Sequence, residues 1–302
     1  MNGGDTMETR RIKVPVATIW KSKDAPREID RPALNGDSKK WVTQMSDEQS
    51  VQLSDDDLLE TQALFNDEVI LDHIEDDWAR VFVVSQRDDS DSRGYPGWVP
   101  LKLLTDRPTS YPPVTATVRI AVKIAKLYNT NDEPIMDLSL GTILSQTGIE
   151  GDKIAVVTPL GDGYIDRSAI VLPYVGQNAG ETMVQMACQF LGMRYLWGGI
   201  SAYGFDCSGL VYTMHRVLGF DIPRDADDQH AGGMPVAPEA ILPGDLVFFA
   251  YDHGTGFVHH VGMYIGNGQM IESRTPGKTV DIASLTEPKF ADEFAGFRRY
   301  WR

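Results

Sequence analysis

The most chemically reactive position in this sequence is Cys207, in the run Gly204-Phe205-Asp206-Cys207-Ser208-Gly209-Leu210. About fifty residues later comes His259-His260-Val261-Gly262-Met263-Tyr264-Ile265-Gly266, the wide Cys/His separation seen in cysteine hydrolases. The entry from Trp197-Gly198-Gly199 is polar and glycine-rich, which leaves Cys207 at the first turn of a helix. Unpaired N–H groups and the positive end of the helix dipole favour an anion there, and the same N–H groups can bind a developing oxyanion. A cysteine opening an amphipathic helix, with a histidine arriving later on a strand, is the minimal kit for thiolate acyl transfer.

Strand alternation sends His259 and His260 to opposite faces. His260 is the better base, because Gly262 on its face leaves room beside it for a helix or a substrate; His259 reads as an edge residue in partial contact with the core. A third group should hold the imidazole by its other nitrogen, and Glu272 on the next strand is the candidate. With a three-residue Gly266-Asn267-Gly268 turn, Glu272 pairs with Gly262 and faces the same way as His260; a two-residue turn flips it away. His73, His215, His230 and His253 lack a matching context, and Cys188 reads as a core residue of an earlier helix. A serine triad through Ser208 gains nothing over the adjacent cysteine. A zinc site is not expected, since the sequence has neither a His-Glu-x-x-His helix nor a Cys-x-x-Cys pair.

The elements that position these residues occupy the last third of the chain. From Gly176 the periodicity is helical, with Met183, Val184, Ala187, Cys188 and Leu191 on one face. A second helix from Cys207 carries the apolar stripe Leu210, Val211, Met214, Val217 and Leu218. Leu246–Phe249, Val258–Ile265 and Gln269–Glu272 read as antiparallel strands, with Asn267-Gly268 at a hairpin turn. This part is α+β, helices first and sheet after. Before it the texture is β. The first fifty residues show little periodicity; then Thr61–Ile74, Ala79–Val84 and the stretch around Gly97-Trp98-Val99 read as strands. Thr105–Pro113, with three prolines, reads as a linker. Val114–Leu172 is again all-β, and its closing Gly163-Tyr164-Ile165 echoes Gly97-Trp98-Val99. Two small barrels are expected, with one larger β-domain as the alternative. The expected boundaries are 1–110, 114–173 and 176–302.

The 302 residues are 42% hydrophobic and 24% charged, which is enough for two or three globular domains. A net charge of -15 argues against nucleic acid and other anionic polymers as partners. There is no stretch of eighteen apolar residues, and none of the first eleven residues forms an apolar signal core. Two cysteines make no disulfide framework, so a reducing, cytoplasmic setting is expected.

Six ordered segments together resemble the NlpC-type cysteine peptidases of bacteria: Tyr195-Leu196-Trp197-Gly198-Gly199, the Cys207 run, Ile222-Pro223-Arg224, Gln229, Pro243-Gly244-Asp245-Leu246-Val247-Phe248-Phe249, and the His260 strand. The resemblance spans about 180–302. It implies a papain-like core that cuts peptidoglycan stem peptides, with Cys207 as nucleophile, His260 as base, and Tyr195 beside the Cys207 amide at the oxyanion site. Two departures stand out: Glu272 takes a place where many members carry histidine, and Ala226 replaces a serine often found after Pro-Arg.

The earlier runs Glu60-Thr61-Gln62-Ala63-Leu64-Phe65 and Gly94-Tyr95-Pro96-Gly97-Trp98-Val99-Pro100 are similar to the first of two bacterial SH3-like domains in the YkfC-type γ-D-glutamyl-L-diamino-acid endopeptidases. The expected architecture is therefore multi-domain: two small SH3-like β-barrels plus an α+β papain-like catalytic domain. The resemblance implies that Glu60 (with Asp67 as fallback), Tyr95 and Asp206 hold the free amine of the substrate's L-alanine, and that Ser208 contacts its D-glutamate. It implies a murein stem peptide as partner, a monomer, no membrane span and no cofactor. A wall-anchored general peptidoglycan hydrolase and an inactive peptidase-like binding module are the alternatives.

Overall fold

A computed structural model describes residues 7–106, 116–171 and 178–301. Most of the expected linker, residues 107–113, lies outside the described residues, as does Gly176. The chain divides into two compact units, Met1–Met45 with Asp55–Ile170, and Ser46–Ser54 with Val171–Arg302.

The first unit holds two antiparallel sheets. One has six strands in the order Thr9–Arg11, Glu68–Glu75, Trp78–Val83, Tyr95–Pro100, Val16–Trp20, Leu59–Leu64. The other has seven, all between Ala116 and Val171. The N-terminal fifty residues are thus not structureless. Val16–Trp20 is buried at every position, so it carries no alternation for a period-2 reading to detect. Short helices follow it, and there Asp30, fully buried, binds the Arg27 guanidinium and accepts from Trp41 Nε1 at 2.7 Å.

The echo between the two sheets is a true structural repeat. Val81 pairs with Gly97 and Val156 with Gly163, and each final strand runs into a 3-10 turn, Leu101–Leu103 or Arg167–Ala169. Phe65, at the end of a first-sheet strand, packs in the core of the second sheet with Val118, Leu127 and Ile165.

The second unit is built on a six-stranded sheet ordered Met234–Val236, Phe294–Arg299, Leu246–Ala250, Val258–Gly266, Gln269–Ser273, Val280–Ser284. The helix Cys207–Leu218 packs on Val258–Gly266 and Gln269–Ser273, beside the helix Ala179–Cys188. It is buried on nearly every side, so its apolar stripe extends into a whole core helix. It ends where Gly219 adopts φ +86°, letting the Gly219 and Phe220 amides cap the carbonyls of Arg216 and His215. Ala179–Cys188 stops before Leu191, which is exposed rather than on the buried face, and Cys188 is only partly buried. Among the described residues no helix is long and apolar enough to cross a membrane.

Candidate active site

Cys207 is the first residue of its helix, and Asp206 caps it, with Oδ1 accepting from Gly209 N at 2.5 Å. Gly209 is required there: a Cβ would stand 2.0 Å from the Gly199 carbonyl oxygen. The Gly-Gly turn and the Ser-Gly after the cysteine thus let loop and helix start touch, which holds the nucleophile's backbone in place.

His260 lies in the strand Val258–Gly266, 5% exposed, and its ring is near enough to the Cys207 side chain for the two to interact electrostatically. Its Nε2 meets Glu272 Oε2 in a short hydrogen bond, which leaves Nδ1 for the sulfur. Burial opposes charging this imidazole, but the interactions with Cys207 and Glu272 outweigh it and push the ring up to about 9. Phe249 and Phe290 flank the ring, at centroid distances of 5.7 and 6.1 Å.

Glu272 reaches His260 by a route the simple turn count does not give. The hairpin closes with Gly266 opposite Gln269, a two-residue turn at Asn267-Gly268 with both residues at positive φ. A bulge between Tyr264 and Gly266 then shifts the register, so Met263 faces Ile271. That shift returns Glu272 to the His260 face. The register at Met263 opposite Ile271 is the one the three-residue turn would have given, although the turn has two residues. The space beside Gly262 is filled by Met270: a Cβ there would lie 2.5 Å from its Sδ. His259 turns the other way, stacking on Tyr251 at 4.1 Å and pairing with Glu293 at 3.2 Å; burial pushes it below its ordinary value.

Tyr195 is buried at this site. Burial first, then the neighbouring Cys207 and Asp206 charges, push its phenol well above the ordinary tyrosine value, so it remains a hydrogen-bond donor. Its backbone is braced on two sides, by Lys278 O on its amide at 2.9 Å and by the Ser50 hydroxyl on its carbonyl at 3.4 Å. Asp47 pairs with the adjacent Arg194 at 3.0 Å. Sequence reasoning missed this brace, because residues 46–54 are remote from the motif and show no signal of their own.

It also missed the partner of Asp206. Arg224, 1% exposed, donates from Nη2 to Asp206 Oδ2 at 2.6 Å and from Nη1 to Asp206 Oδ1 at 3.2 Å and Ser208 Oγ at 2.8 Å. The side chains of Asp206 and Ser208 are therefore bound to one guanidinium. The signal was present in Ile222-Pro223-Arg224, without an indication of what the arginine would meet.

Glu60 and Tyr95 belong to the first unit. Glu60, on the strand Leu59–Leu64, pairs with Lys21 Nζ at 3.2 Å; burial pushes its carboxyl up and Lys21 opposes that. Tyr95 opens the strand Tyr95–Pro100 opposite Val83 and packs in that sheet's core. Asp67, the fallback for Glu60, is buried and accepts from Leu64 N at 2.9 Å, closing its own turn.

A thiol beside an imidazole, with a buried carboxylate bonded to that ring, is the arrangement of a nucleophile, a base and an orienting group. Comparison with known proteins agrees. Residues 192–299 match the NlpC/P60 family and residues 120–172 the YKFC SH3b2 domain. A protein of Bacillus subtilis (strain 168) named gamma-D-glutamyl-L-lysine dipeptidyl-peptidase is 37% identical over 94% of this chain and 96% of its own. One of Bacillus cereus with the same name is 36% identical, over 96% and 90%. A crystal structure of an NlpC/P60 family protein from Bacillus cereus superposes with a TM-score of 0.88 at 34% identity, covering 97% of this chain and 99% of the other. With two relatives shared over nearly their whole lengths, and with a thiol, imidazole and carboxylate in line, this chain belongs to the NlpC/P60 family of cysteine peptidases.

Proposed function

We propose that this peptidase hydrolyses the bond between γ-D-glutamate and the diamino acid in free murein stem peptides that carry an unblocked N-terminal L-alanine, as a step in recycling cell-wall peptides inside the cell. The observation that carries the reading is the buried His260 ring, held by Glu272 and electrostatically coupled to Cys207 at the start of its helix. The bond specificity is supported by the name shared by the two full-length relatives.

The chemistry runs in two halves. The Cys207 thiolate attacks the γ-carbonyl carbon of D-glutamate, and the oxyanion takes hydrogen bonds from the Cys207 amide and the Tyr195 hydroxyl. The His260 imidazolium gives its proton to the departing amine of the diamino acid, leaving a thioester. Water, deprotonated by neutral His260, attacks the thioester; the dipeptide leaves and the thiolate–imidazolium pair returns. Glu60, Tyr95 and Asp206 are assigned to the substrate's ammonium, and Ser208 to its D-glutamate. An ammonium is held well by carboxylates with a phenol, and Glu60 already holds one ammonium, that of Lys21.

The test is mass spectrometry of L-Ala-γ-D-Glu-diaminopimelate and its lysine equivalent with the protein, beside Cys207→Ala and N-acetylated substrates. Release of L-Ala-D-Glu by the unaltered protein alone, with the acetylated peptides spared, is expected. Equal cleavage of the acetylated peptides would remove the ammonium roles and favour a general wall hydrolase.

A further inference from the structure

Behind His260 stands a charge cluster that the reaction scheme above does not use. Glu272 Oε2 is on the imidazole, while Oε1 is buried and makes no hydrogen bond among the described residues. Arg274 Nε lies 3.8 Å from that oxygen. The guanidinium is anchored elsewhere, on Glu287 Oε2 at 2.7 Å, with Asp281 Oδ2 3.9 Å away. It also lies over the Phe290 ring at 5.2 Å, and that same ring stacks against His260. Asp281 is the direct cross-strand partner of Glu272, so two carboxylates sit side by side on adjacent strands. Like charges directly opposite each other repel. One cation therefore serves three carboxylates, and one of these is the group that holds the catalytic imidazole.

We propose that Arg274 is a positioning residue for catalysis: it holds the Glu272 carboxylate aimed at His260 against repulsion from Asp281, and its charge limits how strongly that carboxylate favours the imidazolium. The inference rests on the thiolate–imidazolium reading of Cys207 and His260. It is specific to a chain with glutamate at position 272, because a neutral third group would need no counter-charge.

The charged groups around His260 set the sign. Cys207 on the helix and Glu272 on the next strand favour the imidazolium, and Asp281 one strand further adds to them. His259 opposes it, and Lys289 stands near His259. Burial, with Glu272 beside it, pushes Asp281 above its ordinary value. Removing the Arg274 cation leaves the carboxylates less compensated, so the imidazole must hold its proton to higher pH.

The experiment is NMR titration of the His260 ring in the full chain, in unaltered protein, Arg274→Gln and Arg274→Lys, with kcat and KM on the free peptide measured beside it. In Arg274→Gln the ring should titrate higher, by an amount that solvent reduces at a partly exposed arginine, and kcat should fall ~3–10-fold with KM little changed. Arg274→Lys should restore the titration but only part of kcat, since an ammonium lacks the planar fork. In a Glu272→Gln background the Arg274 replacement should no longer lower kcat. A ring that titrates in Arg274→Gln as in the unaltered protein, or an Arg274→Lys indistinguishable from Arg274→Gln, overturns the inference. Failure of the unaltered protein to cleave the peptide overturns the functional reading instead, and the titration still decides the role of Arg274.

Discussion

Two carboxylate–arginine pairs flank the reacting atoms of the peptidase unit, and they are built differently. Behind Cys207, Asp206 and Arg224 are both almost completely buried, share two hydrogen bonds, and take in Ser208 as well. Behind His260, Glu272 is fully buried, but Arg274 is about one-third exposed, 3.8 Å away, and tied more closely to Glu287. The first pair fixes where the helix begins, since the same Asp206 oxygen caps Gly209. The second touches its carboxylate only through the 3.8 Å approach of Arg274 Nε, while Oε2 stays on the imidazole. The tight buried pair is locked by hydrogen bonds; the loose one acts on Glu272 through charge and the aim that charge gives it.

The largest effect should come from breaking the tight pair. Arg224→Met leaves the buried Asp206 carboxylate without its counter-charge, at a cost of about 3–5 kcal/mol in stability; urea melts measure it. Replacing both together, Asp206→Leu with Arg224→Met, should recover most of that loss, because well-packed apolar groups often substitute for a buried pair without penalty. Peptide cleavage by the double variant should remain low, and full activity there would show that Asp206 reads no ammonium.

On the loose side, Glu272→Gln should lower kcat on the order of 10²-fold while the fold persists. It also removes one of the groups that raise His260, so the alkaline limb of kcat/KM, expected near 9 in the unaltered protein, should move to lower pH. An unmoved limb would mean that the carboxylate only positions the ring.

The same raised imidazole gives a stability prediction. His260 holds its proton more tightly folded, at about 9, than at its ordinary 6.5. Its contribution is therefore complete below about 6.5 and is lost as pH rises through about 9. Melting temperature should decline across that window, and Glu272→Gln should flatten the decline.

The smallest effect is expected one residue away. His259 pairs with Glu293 and stacks on Tyr251, pointing away from Glu272. His259→Asn should change kcat by about twofold or less, because it removes no group from the reaction. A larger loss with a shifted pH profile would show that the two histidines titrate together.

Much of the site was legible from local chemistry. A cysteine after a glycine-rich turn and a histidine on a later β-rich run each need only a few neighbours to be recognised, whereas the capping of that helix by Asp206 was not read from the sequence. Glu272 was legible only through its register, and the count that placed it right assumed the wrong turn; a bulge supplied the missing residue. The Val16–Trp20 strand was illegible because burial on both faces erases alternation. Leu191 was misplaced because a helical period does not say where the helix stops.

By itself, the sequence determined the helix that Cys207 opens and the β character of the runs Thr61–Ile74 and Ala79–Val84, since these depend on residue type and short-range spacing. Only the tertiary structure decided which arginine answers which carboxylate, that Ser50 braces Tyr195, and that Met270 fills the space beside Gly262. Those are contacts between elements set by register and packing, and partners are chosen there by burial, which no stretch of sequence encodes alone.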